Sequence, residues 1–120
     1  MIEMIPGLPD NVLGFEAKGR ISDEDYTATL IPAVEKEFAR RGRVRLLYHI
    51  GEQCEGVEAA AVWDDTRLGL KHFGSWEKVA LVTDVDWIRA AVKIVGMAMP
   101  GDVRIFSNRN LDDAVRWISE

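Results

Sequence analysis

The sequence contains a single cysteine, Cys54, among 120 residues. An internal disulfide is therefore excluded, and so is a metal site built from several cysteines. Such sparing use of cysteine suits a reducing compartment. Without such cross-links the fold must be stabilised by a hydrophobic core, and a chain of this length can bury one. We expect a single domain that comprises residues 1–120.

Long apolar runs and a surplus of positive charge are missing as well. No stretch reaches the roughly 18–20 apolar residues that span a bilayer, and the longest, 85–99, contains Asp86, Arg89 and Lys93. The N-terminus carries Glu3 and lacks the basic start of a signal peptide. We therefore expect a cytoplasmic protein with at most peripheral membrane contact. The net charge of −5 argues against a nucleic-acid partner, whose phosphates require Lys and Arg.

Motifs of common cofactor and catalytic sites are absent too. The sequence has no GxGxxG, GxxxxGK[ST] or HExxH pattern and no nucleophile elbow. Asp64 and Asp65 are adjacent on a predicted helix, so their side chains point in different directions and are poorly placed to bind one metal ion together. Asp84 and Asp86 suit a turn and a helix N-cap. We predict no metal and no cofactor.

Strand-like and helix-like segments alternate along the chain, which predicts an α/β domain. The predicted strands are 2–5, 12–18, 43–50, 79–82 and 102–106, and the predicted helices are 22–41, 57–73, 87–99 and 110–118. Turn residues between the first two strands favour an antiparallel hairpin. The later alternation favours βαβ units with right-handed crossovers. We expect a five-stranded, mixed and mostly parallel sheet with an N-terminal β-hairpin and about four helices.

The first predicted helix carries signals for its start, its interior and its buried face. Ser22 followed by acidic residues predicts an N-cap, and Pro32 predicts a kink or a break near Ile31. Three apolar residues at four-residue spacing are expected to pack inward: Leu30, Val34 and Phe38. The charged residues are expected to face water: Glu35, Lys36, Glu37, Arg40 and Arg41.

Segment 51–56 (GEQCEG) predicts a loop between the third strand and the second helix. Cys54 would then lie near a helix start, which favours a thiolate, but flanking glutamates oppose a second negative charge. An inert loop cysteine is the favoured interpretation. A nucleophile–base–orienter set of Cys54, His49 and Asp84 is the alternative, although no spacing requires it.

The third predicted helix, 87–99, is apolar nearly all the way round. Its polar residues fall on one narrow stripe: Asp86, Arg89, Lys93 and Gly96. A helix packed on one sheet face needs an apolar stripe of only about 100°. The surplus apolar surface predicts a second contact, with a neighbouring helix, a second copy, a ligand or a membrane interface. The simpler alternative is a helix fully buried within its own domain.

If a pocket exists, the fold places it beyond the carboxyl ends of the parallel strands. This edge gathers His49, Asp84 and Ser107. The predicted ligand or interface residues are Trp63, Leu70 and Phe73 on the second helix, Trp87, Ala91, Ile94 and Met97 on the third, and Asp84 and His49 at the strand ends.

Several stretches together resemble the SpoIIAA-like family, a branch of the STAS fold. They are Gly19–Tyr26 with Pro32, Gly42–Leu47, Trp63–Asp65, Trp76–Asp84 with Trp87, Val103–Phe106 and Ala114–Ile118. The resemblance implies a non-enzymatic module, and the SpoIIAA-like branch is also similar to the lipid-binding CRAL-TRIO type. Phosphorylated regulators of the STAS fold carry an acceptor serine after the third strand. Segment 51–56 has no Ser or Thr there, which disfavours a phosphorylation switch.

Three functions follow from these observations. The first is a module that binds an apolar or lipid-like small molecule, or a membrane surface, between its second and third helices. The second is a partner-switching regulator of the anti-sigma-factor-antagonist type, without the phosphorylatable serine, that binds a protein or its own copy. The third is a small enzyme of unknown reaction that uses His49, Asp84 or Cys54.

Overall fold

A computed structural model of the chain describes residues 1–57, 74, 76–99 and 101–120. Its strands are β1 (Ile2–Met4), β2 (Val12–Ile21), β3 (Val44–Val57), β4 (Trp76–Thr83) and β5 (Asp102–Phe106). Its α-helices are α1 (Asp23–Asp25), α2 (Ile31–Arg41), α3 (Asp86–Ala98) and α4 (Leu111–Ser119). A π-helical stretch, Tyr26–Leu30, joins α1 to α2, and a 3₁₀ turn, Asn108–Asn110, precedes α4.

The five strands form one mixed sheet in the order β1-β2-β3-β4-β5. The β1–β2 pair is antiparallel and the other three pairs are parallel. The predicted α/β class, mixed sheet and N-terminal hairpin are therefore confirmed. In the described part of the chain the helices form three segments, 23–41, 86–98 and 111–119, rather than about four. The additional predicted helix, 57–73, is wrong at Val57, which ends β3, and 58–73 lie outside the described residues.

Two hydrophobic clusters lie on opposite faces of the sheet. We name them the α3 face, which also carries α2, and the α4 face. The core of the α3 face is formed mainly by Phe15, Ile21, Tyr26, Leu30, Val34, Phe38, Leu46, Tyr48, Ile50, Trp76, Leu81 and Ile88. The core of the α4 face is formed by Val12, Leu47, Ala80, Val82, Ala114, Trp117 and Ile118. Helices on both faces thus shield the central strands from water.

The segment that leads into the α3 face follows its predicted signals closely. The Ser22 side chain accepts a hydrogen bond from the Asp25 backbone N–H, and the Asp25 carboxylate accepts one from the Ser22 N–H, which completes a capping box. The π-helical stretch ends where α2 begins at Ile31, with Pro32 in the first turn of α2, where its missing donor costs little. Gly42 ends α2 with φ of +75°, a conformation that glycine adopts without strain.

Glu37 is the exception on α2. The three residues predicted to pack inward are all buried: Leu30, Val34 and Phe38. Glu37 was expected to face water, but it is buried as well. Its carboxylate lies 2.9 Å from Arg40 Nη2 and 3.5 Å from Arg41 Nε, so two cations one turn away compensate the buried charge.

Two parallel strands extend beyond their predicted ends, and they do so together. The second strand was predicted to end at residue 18, but β2 passes through register shifts on both sides of Gly19 and continues to Ile21. Its added residues pair with the end of β3, where Gly19 lies opposite Cys54 and Ile21 opposite Val57. The predicted loop at 51–56 is therefore wrong. Because Cys54 lies within β3, it does not lie at a helix start.

The ends of the last two helices differ slightly from their predictions. Asp86 is the first helical residue of α3 rather than its N-cap, which is Val85. The sequence predicts a cap at Asn110 for the last helix, and Asn110 is the N-cap of α4, which begins at Leu111 after a 3₁₀ turn at 108–110 and ends at Ser119, one residue later than predicted. Among the described residues, no helix combines the length and the apolar character that a membrane crossing requires.

Candidate functional site

Helix α3 packs on the α3 face through one side only. Ile88 is buried, and four more residues at helical spacing are partly buried: Val85, Val92, Gly96 and Met99. A Cβ at Gly96 would lie 3.0 Å from Val103 Cβ, so glycine allows the helix to lie close to β5. Since β5 is an edge strand of the described sheet, α3 covers the margin of the sheet rather than its centre.

Arg89 lies on the packed side of α3 and ties the helix to two strands. Its Nη1 donates hydrogen bonds to the carbonyl oxygens of Thr83 at 2.8 Å and Phe106 at 3.2 Å. These residues end β4 and β5, so one side chain satisfies a carbonyl at the carboxyl end of each strand. The predicted polar stripe is therefore wrong in part, because Arg89 and Gly96 face the sheet while Asp86 and Lys93 are exposed.

The opposite side of α3 is apolar and open. We name it the outer face, which comprises Trp87, Ala90, Ala91, Ile94, Met97 and Ala98, all of them exposed. Trp87 is 57% exposed, Ile94 70% and Met97 83%. Isolated apolar residues on a surface need no explanation, but several large ones on one helix face typically mark a contact site. The apolar surplus predicted from the sequence therefore exists as exposed surface.

The predicted site lies only partly within the described residues. Trp87, Ala91, Ile94 and Met97 lie together on the outer face of α3. The predicted partners from the second helix, Trp63, Leu70 and Phe73, lie outside the described residues. A pocket between the two helices therefore stays a prediction.

At the carboxyl end of the sheet, His49 and Asp84 have different partners. The Asp84 carboxylate accepts a hydrogen bond of 3.2 Å from the Asn108 backbone N–H, which ties the turn after β4 to the turn after β5. His49 Nδ1 lies 3.2 Å from Glu16 Oε2 on the neighbouring strand. Within the described chain no hydrogen bond joins His49 to Asp84, and the catalytic set with Cys54 gains no support from these contacts.

Sequence reasoning missed Glu16 as the neighbour of His49. The parallel pairing of β2 with β3 sets Glu16 opposite His49. Lys18 lies on the same strand, 3.4 Å from Glu16 Oε1 and 3.3 Å from Glu3 Oε2. Hydrogen bonds to Glu3 and Glu16 raise the pKa of Lys18. Only the register of β2 against β3 could have revealed this group, because 33 positions separate Glu16 from His49 (49 − 16).

Comparisons with known proteins agree with this architecture. A model of the SpoIIAA-like family matches residues 12–119. A solved structure from Shewanella loihica PV-4, an uncharacterized protein of the DUF3478 family with a SpoIIAA-like fold, is 28% identical in sequence. The similarity covers 98% of this chain and 92% of that chain, with a TM-score of 0.75. Among curated proteins no match is found.

Proposed function

The chain belongs to the SpoIIAA-like family, and we propose that it is a non-enzymatic module that binds an apolar or lipid-like small molecule, or a membrane surface, through the outer face of α3. The observation that carries the proposal is the exposure of Trp87, Ile94 and Met97 on one side of one helix. Covering a large apolar side chain completely contributes about 1.5–3 kcal/mol. The three side chains together therefore offer enough free energy for association.

The composition of the outer face supports an apolar partner. Asp86 and Lys93 are the charged residues at its border, one of each sign. Methionine fills irregular space and suits varied ligands, while tryptophan at the start of the helix suits the boundary between lipid and water. With one cation and one anion, the face offers apolar contact rather than attraction to anionic headgroups.

The experiment combines native mass spectrometry with co-sedimentation on vesicles of neutral phosphatidylcholine. Ile94→Asp and Met97→Asp would each place a charge in the contact and should lower the association constant at least tenfold, or about 1.4 kcal/mol. Met4→Asp is the matched control, because Met4 on β1 is also exposed, at 59%. A protein that carries no copurifying ligand and does not sediment with vesicles would overturn the proposal.

A protein partner or a second copy is the alternative occupant of this surface. The observation in its favour is the position of β5, which is an edge strand of the described sheet and lies beneath α3. An edge strand presents unpaired backbone groups to another chain. Light scattering would show a dimer that Ile94→Asp dissociates, and capture of one specific protein would support a partner-switching regulator. Segment 51–57 contains no Ser or Thr, so such a regulator would lack that phosphorylation point.

A small enzyme stays a third prediction, and an activity that depends on His49 or Asp84 would support it.

Val92 also lies on α3, but a substitution there would not be a suitable test of any of these functions. Val92 is partly buried against the core of the α3 face, so a charge there would disturb folding as well as binding.

A further inference from the structure

Strand β5 has one long side that no other strand of the described chain pairs with. It pairs with β4 on its other side and is the last strand of the sheet. The unpaired N–H and C=O groups of an edge strand are a template for another strand. Strand β1, at the opposite edge, is a poorer template, because it has three residues against five and its Glu3 is bound by Lys18 at 3.3 Å.

The two charged residues of β5 form no ion pair within the described chain. Asp102 and Arg104 are both exposed. Arg104 lies opposite Ala80, which belongs to the cluster on the α4 face, and Asp102, two residues away, points to the same side. Lys78 lies opposite Asp102, but its Nζ donates to the carbonyl oxygen of Trp117 instead. An acid and a base on one free edge are therefore available to another chain.

The order of charges on β5 is complementary to itself in the antiparallel direction. When two copies pair about a twofold axis perpendicular to the sheet, the axis passes through one residue, because residues directly opposite each other share a face. An axis at Val103 sets Asp102 of each copy opposite Arg104 of the other. An axis at Asp102 or at Arg104 sets a like charge against itself, which is destabilising. An axis at Ile105 leaves both charges without an opposite charge.

Helix α3 presents its residue without a side chain at the position of this axis. Gly96 packs on Val103, and a Cβ at Gly96 would lie 3.0 Å from Val103 Cβ. Two copies of the helix would therefore approach each other beside a glycine, which permits close contact between backbones. The outer face of α3 lies on the side of the helix that faces away from the sheet, and it stays free in this arrangement.

We propose that β5 pairs antiparallel with β5 of a second copy about Val103, which joins two five-stranded sheets into one. Two ion pairs, each between Asp102 of one copy and Arg104 of the other, fix the register. Because the strand is short, we expect association in the micromolar range, as for interfaces below the standard size. The pairing does not rest on the proposed function, since the edge of β5 and the outer face of α3 are different surfaces.

The test is sedimentation velocity of the full chain from low to high micromolar concentration, over which the monomer should convert to a dimer. Asp102→Arg makes both positions positive and Arg104→Asp makes both negative, so each should weaken self-association at least about tenfold. An equimolar mixture of the two variants should dimerise again, because every charge then meets the opposite one. Misfolded variants could not produce this recovery.

The matched controls make the same charge changes on another element. Asp113→Arg and Arg116→Asp alter an exposed pair on α4, and both variants should dimerise like the unmodified chain.

A cysteine cross-link tests the register. Directly opposite residues of antiparallel strands have Cα atoms about 4.5–5.5 Å apart, which a disulfide can bridge. Val103→Cys in a Cys54→Ala background should therefore form a disulfide between two copies under mild oxidation. Ile105→Cys in the same background should not, because each Ile105 lies away from the axis and from its counterpart.

Three outcomes would overturn the pairing. One is a chain that stays monomeric at every concentration. Another is a mixture of the two charge variants that associates no better than either variant alone. The third is a dimer that Ile94→Asp dissociates and Asp102→Arg leaves intact, which would place the second copy on the outer face of α3 instead.

Discussion

Helices α3 and α4 are both rich in apolar residues, but they use them in opposite ways. In α4, Ala114, Trp117 and Ile118 are buried while the acidic pair at 112–113 faces water. Among the described side chains of α3, Ile88 alone is buried, and large apolar residues are exposed. The difference follows from position, because α4 packs mainly on the central strands β3 and β4, whereas α3 packs mainly on the edge strand β5. A helix over an edge has less sheet beneath it.

The surroundings of Trp117 show that side chains of the strands hold the end of α4 on the sheet. Its ring lies 4.9 Å from Lys78 Nζ and 5.0 Å from the Arg104 guanidinium carbon, both on the strands beneath. Lys78 Nζ also donates to the Trp117 carbonyl oxygen at 3.2 Å, and Arg45 Nη1 donates to that of Ile118 at 3.1 Å. Cations from the strands thereby satisfy the carbonyls at the end of the helix, where positive charge is favourable.

The largest effect on stability is expected when the same substitution is made at one isoleucine in each helix. Ile118 is fully buried, while Ile94 is 70% exposed. Ile118→Ala should lower the free energy of unfolding by about 2–5 kcal/mol because it leaves a cavity. Ile94→Ala should change it by no more than about 0.5 kcal/mol. Urea denaturation of both variants measures the contrast, and comparable losses would show that the outer face of α3 is covered within the monomer.

A smaller effect is expected at Arg89, the residue that ties α3 to the strand ends. Arg89→Met keeps much of the side-chain length but removes the donors to Thr83 and Phe106. Leaving those carbonyls without a partner should cost about 1–3 kcal/mol. Lys93→Met on the exposed side of the same helix is the control and should be nearly neutral. Equal effects in chemical denaturation would contradict the structural role of Arg89.

The smallest effect concerns how the helices begin. Asp25 completes a capping box, while Asp86 in the first turn of α3 accompanies an N-cap without a side-chain hydrogen bond. Burial raises the pKa of Asp25, but hydrogen bonds from Ser22 and the N-terminal ammonium outweigh it, so the pKa is lowered. Its carboxylate therefore stabilises the fold above the unfolded-state pKa of about 3.9, and this contribution is lost as the pH falls through the lower folded-state value.

Asp25→Asn should accordingly lower stability by about 1 kcal/mol at pH 7, and the difference from the unmodified chain should shrink towards pH 3. Asp86→Asn is the matched control, with a smaller effect at pH 7. Thermal unfolding across this pH range provides the measurement. A difference for Asp25→Asn that stays constant with pH would contradict the role of its charge.

Elements with strong local signals could be predicted closely. Strand β5 was predicted at its observed bounds, 102–106, because alternating apolar residues lie between turn residues. The N-cap at Ser22 and the end of the first predicted helix at residue 41 were also predicted, since both depend on neighbouring residues. The end of β3 could not be predicted, because a strand rich in Gly and Glu at 51–56 forms only against the extended end of β2.

The candidate site, too, could be predicted from the sequence only in part. The apolar surplus on α3 was visible in its residues, but which side faces the sheet was not. Arg89 and Gly96 belong to the packed side because a guanidinium can reach carbonyls at the strand ends and a glycine allows close approach to Val103. The pairing of Glu16 with His49 was likewise invisible before the register of β2 against β3 was known.

By itself, the sequence determined the α/β class, the SpoIIAA-like family and the presence of one helix with more apolar surface than a sheet face covers. The class and the apolar helix depend on local periodicity, capping and composition, and the family was indicated by the resemblance of several stretches along the chain. The tertiary structure alone decided that α3 lies over an edge strand of the described sheet and that β2 and β3 continue past their predicted ends by pairing with each other. It also decided that His49 lies next to Glu16. Each of these depends on strand order and register, which bring distant residues together through backbone hydrogen bonds that no local pattern encodes.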